Sequence, residues 1–350
     1  MRLRCGPSKG TNSSVVAKPV QQFDFSTLQP ELILDALHHY GLDVSSGLLA
    51  LNSYENRVYQ FSAYRDNAVS AARYVVKFYR PQRWSLAQIQ EEHQFAFELQ
   101  ANEVPVVAPL CFNGESVLPF QGFYFAVFPS RGGRTLEIDN DDQLALLARF
   151  LGRLHQVGRQ QVFQARPQLS IDSHLRHSQQ VLAALPLIPS YLRPAFDSAL
   201  QQVIAEASRQ YQPKTLIRLH GDCHAGNLFY NGESPFFVDL DDCRCGPAMQ
   251  DLWMMLNGDR QQQRGTLELM LEEYEQYCDF DPAELKLIEP LRAMRMIHYM
   301  AWLARRWLDP AFVLNFPWFA TDKYWEQQCL ALKELLYLLQ QPPLSLVPDY

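Results

Sequence analysis

The sequence predicts an α+β protein of two lobes: a small sheet with one prominent helix, then a larger and mainly helical region. Three observations lead there. Short apolar runs of strand length crowd the first third of the chain, and amphipathic helical patterns fill most of the rest. A Pro129-Ser130-Arg131-Gly132-Gly133 break separates the two regimes. One later stretch, residues 216–253, returns to short strands with polar residues at their ends: LIRLHGDCHAGNLFYNGESPFFVDLDDCRCGPAMQDLW. The 350 residues suffice for two cores, and the boundary is placed between lobes at 23–128 and 129–350.

Residues 1–22 are polar and predict a disordered tail. GPSKGT within it lacks the spacing and the preceding strand of a phosphate-binding loop. Leu28 to Tyr40 has helical periodicity, with Leu32, Ile33, Ala36 and Leu37 on one face. Strands are expected at Leu48–Leu51, Arg57–Tyr64 and Arg73–Phe78. Ser85 should cap a helix running to about Gln100. Val104–Pro109 and Gly122–Phe128 read as further strands. Helices are then expected at Asp142–Gln156, Ser173–Leu185, Pro194–Tyr211, Met249–Leu256, Leu267–Tyr277, Pro282–Arg306 (with a break) and Tyr324–Leu339.

Composition narrows the function. Hydrophobic content of 47% with 20% charged residues is ordinary for a globular domain. A net charge of −7 argues against nucleic acid as the partner. The Arg-rich run from Arg292 to Arg306 lies inside an apolar helical pattern and reads as bracing it. No membrane partner is expected, because the most apolar long stretch, Met294 to Trp307, is interrupted by Arg295, His298, Arg305 and Arg306. No apolar secretory segment follows Arg2 and Arg4. Seven scattered cysteines fit free thiols in a reducing cytoplasm, and the chain is expected to be a monomer. Cys223, Cys243 and Cys245 contain no C-x₂-C pair, a poor zinc signature.

The chemistry concentrates in 216–253. Asp222 and Asn227 are five apart on the first turn, and Asp239 follows the next strand. Phosphoryl transfer uses one carboxylate to accept a hydroxyl proton, and an amide oxygen with a second carboxylate to hold magnesium against nucleotide phosphates. Taken singly, each residue could be an ordinary turn cap. Together, Asp222 is the candidate base, and Asn227 and Asp239 are the candidate metal ligands, with Asp239 also counted as catalytic. Asp241 could assist the metal or cap its loop, and Asp242 ranks lower.

HGDCHAGN followed by FVDLDD resembles the catalytic and metal loops of the aminoglycoside phosphotransferase/choline kinase branch of the protein-kinase-like fold. LNSYENRVYQF, VVKFYRP, QGFYFAVFPSRGGR, DLDDCRCGPAMQDLW and IEPLRAMR extend the likeness from about residue 23 to the C-terminus, and toward that family's bacterial stress-response protein kinases. The resemblance implies a nucleotide-binding N-terminal lobe and a C-terminal lobe for catalysis and substrate. It implies magnesium-dependent transfer from ATP to Ser or Thr of proteins, the enzyme itself included. The alternative is a small-molecule kinase for an amino alcohol or aminoglycoside, whose cationic substrate would call for an acidic pocket; Glu272, Glu273 and Glu275 are a thin basis for one.

Within the resemblance, Lys77 is the lysine that grips the α- and β-phosphates, with Glu92 as its partner and Glu91 the fallback. Asn52 to Arg57 occupies the place of a Gly-rich loop yet has no glycine, so Ser53 and Asn56 are expected to cover the phosphates. The Phe125–Phe128 strand should line the adenine slot. His220 and Asp251 read as structural supports of the catalytic loop. Gly221 replaces the arginine that would pair with a phosphorylated activation loop. The Phe316-Pro317-Trp318-Phe319 segment reads as core or as a lid over the cleft.

Overall fold

The computed structural model describes residues 24–66 and 68–346, so the tail expected over residues 1–22 lies outside the described residues. Pro30–His39 forms helix α1, with Pro30 in the first turn, where its missing N–H removes no helical bond. The strands Leu42–Val44 (β1), Leu49–Ala50 (β2), Arg57–Arg65 (β3), Ala72–Phe78 (β4), Leu118–Phe120 (β5) and Phe123–Pro129 (β6) form an antiparallel sheet. Their order is β1-β3-β4-β6-β5, with β2 also on β3. Ile33, Ala36 and Leu37 of α1 pack with Phe61, Phe78, Phe123 and Phe125 of the sheet. In central β4, Val76 and Phe78 enter this core, so the two-residue period sends Lys77 to the opposite face.

Leu86–Ala101 (α2) starts on a capping box: Gln88 N–H donates to Ser85 Oγ at 3.3 Å, and Ser85 N–H donates to Gln88 Oε1 at 2.9 Å. The helix carries two kinds of buried residue. Glu92 and His93 make polar contacts with β4 and its following residue Tyr79. Phe95, Ala96 and Leu99 join the core of the helical lobe.

Residues 104–109, expected to be a strand, are not one. Pro105 and Pro109 deny the ladder its donors, and the segment keeps a single bridge, Val106 to Phe237. That bridge still ties the two lobes together, with Phe237 N–H on Pro105 O at 2.8 Å and Val107 N–H on Phe237 O at 3.2 Å.

Beyond β6 lie Arg134–Thr135 (β7), Asp141–Gly158 (α3), His177–Ala183 (α4), Arg193–Gln210 (α5), Ile217–Leu219 (β8), Leu228–Tyr230 (β9), Pro235–Phe237 (β10), Arg244–Gly246 (β11), Met249–Leu252 (α6), Arg260–Tyr274 (α7), Ile288–Arg306 (α8), Pro310–Asn315 (α9) and Asp322–Gln340 (α10). Strands β7, β9 and β10 make one small antiparallel sheet, and β8 pairs with β11. The helix expected over 173–185 opens instead as a wide π-type turn at Asp172–Arg176 and stops at Ala183. The expected break in 282–306 is a 3₁₀ segment, Pro282–Leu287, ahead of α8. Helix α9 was not legible, because six residues hold less than two turns of periodicity.

Candidate active site

The loop after β8 is built from below. Asp251, in α6, accepts the His220 N–H at 2.8 Å on one carboxylate oxygen and the Gly221 N–H at 2.9 Å on the other. His155 Nε2 lies 3.2 Å from the same carboxylate. His220 Nε2 donates to Val238 O at 2.9 Å, fixing the first loop to the second. Gly221 has φ +86°, and a Cβ there would collide with the Asp242 carbonyl. The sequence alone marked this position by the charge it lacks; the backbone explains why a side chain is refused.

Asp222 and Asn227 are brought together on this loop. Asn227 Nδ2 donates to Asp222 O at 3.0 Å, which leaves the amide oxygen for another partner. Val238 N–H donates to Asn227 O at 3.1 Å, so Asn227 lies beside the residue that precedes Asp239. Asp239 sits in the left-handed region at φ 59°, a conformation Asp tolerates, and its side chain is 49% exposed.

Lys77 crosses to this second loop. Its Nζ is 3.0 Å from Glu92, 3.3 Å from Asp241 and 3.5 Å from Asp239. Burial alone would lower its pKa, but the Glu92 carboxylate, followed by Asp241 and Asp239, holds it well above the ordinary lysine value. Glu91 is engaged elsewhere, accepting the backbone N–H groups of Gln164, Ala165 and Arg166 at 2.6, 2.9 and 2.8 Å.

The candidate base has two side-chain contacts with cationic or imidazole groups. Arg295 of α8 pairs with Asp222 Oδ1, and His224 Nε2 is 3.4 Å from Oδ2. His224 Nδ1 accepts the Gly226 N–H at 2.9 Å, which places the ring proton on Nε2, facing Asp222. Burial would raise the Asp222 pKa, but the His224 hydrogen bond and the Arg295 charge hold it below the carboxylate range.

Arginines invisible to the motif reading organise the rest. Arg83 pairs with Asp241 and, at 2.9 Å, with Asp242, which Arg244 also holds at 2.6 Å. Arg166 donates to the backbone oxygens of Asp241, of Cys243 at 2.6 Å and of Gln88 at 3.0 Å, and lies on the Trp84 ring. Asp241 is thus a buried ion-pair centre. Arg83 stood six residues after Lys77 and could have been suspected; Arg166, alone in a loop, offered no pattern.

The turn expected to cover phosphates differs from its reading at one residue. Asn56 is 2% exposed, and its Oδ1 accepts the Arg80 N–H at 3.0 Å, so its side chain braces the turn from inside. Ser53 stays half-buried on the turn. The turn is also clasped by the helical lobe. Glu55 accepts from Trp302 Nε1 and Arg306 Nη2, each at 2.6 Å, and Asp309 pairs with Arg80 at 3.0 Å and Arg57 at 3.3 Å. Tyr54 packs edge-on to Phe316 with ring centres 4.7 Å apart. The 316–319 segment is therefore mostly core: Phe316 and Phe319 are buried while Trp318 is exposed.

Cys223, Cys243 and Cys245 are buried free thiols, and among the described residues no three His, Cys, Asp or Glu side chains are grouped to hold a metal. Among those residues, no helix is long and apolar enough to cross a membrane.

Residues 48–288 match the family model of the phosphotransferase enzyme family. The chain belongs to that family. Stress response kinase A of Escherichia coli is 53% identical over 329 residues, spanning 94% of this chain and 98% of the relative. A Salmonella typhimurium relative, called serine/threonine protein kinase RdoA, is 52% identical over the same shares. Among solved structures, the amicoumacin kinase hAmiN bound to AMP-PNP, Ca2+ and Ami superposes with a TM-score of 0.68 at 19% identity, covering 90% of this chain and 94% of that one. A microcompartment-associated aminopropanol kinase also gives 0.68 at 17% identity, covering 91% and 100%. The fold is the α+β, two-lobed one of these phosphotransferases: an antiparallel N-terminal sheet and a helical C-terminal lobe. This phosphotransferase is a kinase.

Proposed function

We propose that this kinase transfers the γ-phosphoryl group of ATP to Ser or Thr hydroxyls of proteins, itself among them, in a stress response. The observation that carries the nucleotide half is the buried Lys77–Glu92 pair at 3.0 Å, whose ammonium also lies 3.5 Å from Asp239. An ammonium held charged between a fixed carboxylate and a half-exposed one is poised to exchange the latter for phosphate oxygens. Asn227 and Asp239 fit a magnesium ion, being hard oxygen donors on adjoining backbone with an amide oxygen free for ligation. Such an ion would neutralise phosphate charge as it develops. Asp222 orients the acceptor hydroxyl and takes its proton late. Ser53 contributes from the covering turn.

The protein-acceptor half rests on the relatives' names and on the placement of the acidic side chains. Glu273, in the trio that a cationic small molecule would call on, is paired with Arg149 of α3. Free cysteines suit a reducing cytoplasm.

The test is incubation with labelled ATP, magnesium and cell lysate, comparing wild type with Asp222→Asn. Label should enter protein on Ser or Thr. The variant should lose about 10²–10⁴-fold in transfer while keeping nucleotide affinity. Label entering an amino alcohol or aminoglycoside and no protein would replace the protein-kinase reading by the small-molecule one.

A further inference from the structure

The wall of the cleft beside Asp222 is α8, and its chemistry bears on which hydroxyl is accepted. Contacts define the helix's cleft-facing stripe. Arg295 reaches Asp222, Trp302 and Arg306 reach Glu55, and Tyr299 stacks on Trp302 with ring centres 5.6 Å apart. The stripe thus bears cations and aromatic rings. The only acid in α8 is Glu289, in its first turn, where Arg292 holds it at 3.1 Å. Two members of the stripe are open to solvent: the Arg295 side chain is 38% exposed and Tyr299 is 41% exposed.

The surrounding acids are already matched. Asp241 and Asp242 are held by Arg83, Asp242 also by Arg244, and Glu55 by Arg80 and Arg306. A cationic acceptor approaching Asp222 would meet a guanidinium in direct contact with the very carboxylate it needs. An acceptor with negative charge next to its hydroxyl would instead give Arg295 a new partner as the hydroxyl displaces it from Asp222.

Resting on the protein-kinase reading above, we infer that Arg295 is the specificity-determining residue of the acceptor site and selects Ser or Thr hydroxyls flanked by acidic side chains. The guanidinium moves from the Asp222 carboxylate to a carboxylate of the acceptor peptide, and this exchange frees the base only when an acidic acceptor is bound. Tyr299 supplies the apolar floor beside it.

The experiment uses the full chain with magnesium and ATP. Three peptides differ only in the residues beside one Ser: Glu, Gln or Lys. A hydroxy acid and an amino alcohol of equal length serve as small acceptors. Wild type should prefer the Glu-flanked over the Lys-flanked peptide by at least about tenfold in kcat/KM, the scale of one charge contact at a half-exposed site. Arg295→Glu should invert the order and Arg295→Gln should flatten it, while Arg295→Lys keeps it. Nucleotide affinity, measured alongside, reports on folding. A wild type that favours the Lys-flanked peptide or shows no preference overturns the inference whatever the variants do. Equal ratios in wild type and Arg295→Gln overturn it too, yet leave protein phosphorylation standing. If the peptides stay unlabelled while a small acceptor is labelled, the protein-kinase reading fails. The preference between hydroxy acid and amino alcohol then decides the charge selection by itself, the amino alcohol's success counting against it.

Discussion

At the scale of single residues, the backbone at Gly221 and the carboxyl of Glu284 make the sharpest predictions. Gly221→Ala puts a methyl group against the Asp242 carbonyl at a φ of +86°. It should cost about 1–3 kcal/mol of stability and displace Asp222 as well. Thermal unfolding checks the first, and transfer rate at saturating ATP the second. Glu284 is buried and accepts the Met249 N–H at 2.8 Å, at the start of the helix that carries Asp251. Burial pushes its pKa up to about 7 from 4.5, against the pull of that hydrogen bond. The folded state therefore holds the proton more tightly than the unfolded chain. Stability from this group is full below pH 4.5 and is lost as pH rises through 7. Glu284→Gln keeps an acceptor for Met249 without titrating. It should gain on wild type by up to about 3 kcal/mol between pH 4.5 and 8, read from denaturant midpoints at each pH. A constant difference across that range would show that Glu284 does not titrate there.

At the scale of elements, α8 is the strut of the cleft. It places Arg295 on the candidate base and, eleven residues later, Arg306 on the glycine-free turn. The absence of glycine from Asn52 to Arg57 is thereby explained: the turn is fixed by Glu55, Asn56 and Tyr54 and does not depend on backbone freedom. Glu55→Gln removes the charge that Arg80, Arg83 and Arg306 share. Breaking such a part-buried network should cost about 3–5 kcal/mol. If the turn covers the nucleotide as proposed, the KM for ATP should rise more than kcat falls. A variant with unchanged thermal midpoint would show that the clasp contributes no stability.

At the scale of the molecule, the small lobe has a core of its own around β4 and also lends residues to the core of the large lobe. Phe95, Ala96, Leu99, Val104 and Val106 belong to the same buried cluster as α3, α5 and α8. Heating should give one cooperative transition, since the small lobe cannot unfold without exposing the large one's core. Residues 24–129 expressed alone should lack a fixed tertiary structure, checked by amide proton dispersion. Two separate calorimetric transitions would refute this coupling of the small lobe to the large one's core.

Several features were legible without coordinates. Ser85 announced the start of α2, the apolar runs of 57–64 and 73–78 announced β3 and β4, and the Asp222–Asn227–Asp239 spacing announced the loops. All are local: capping, two-residue alternation and turn chemistry act within a few residues of each other and leave their mark in order along the chain. The Lys77–Glu92 pairing was foreseen through resemblance. Tertiary structure alone decided what is joined across the fold. Asp222 meets Arg295 from 73 residues away, Glu55 meets Arg306 from 251, and Arg166 threads between α2 and the loop at Asp241. A salt bridge imposes no periodicity on the sequence, and an arginine on a helix face reads the same whether it braces its own helix or reaches across a cleft. Chemistry could be read from spacing; the charge an acceptor meets could be read only from where α8 lies.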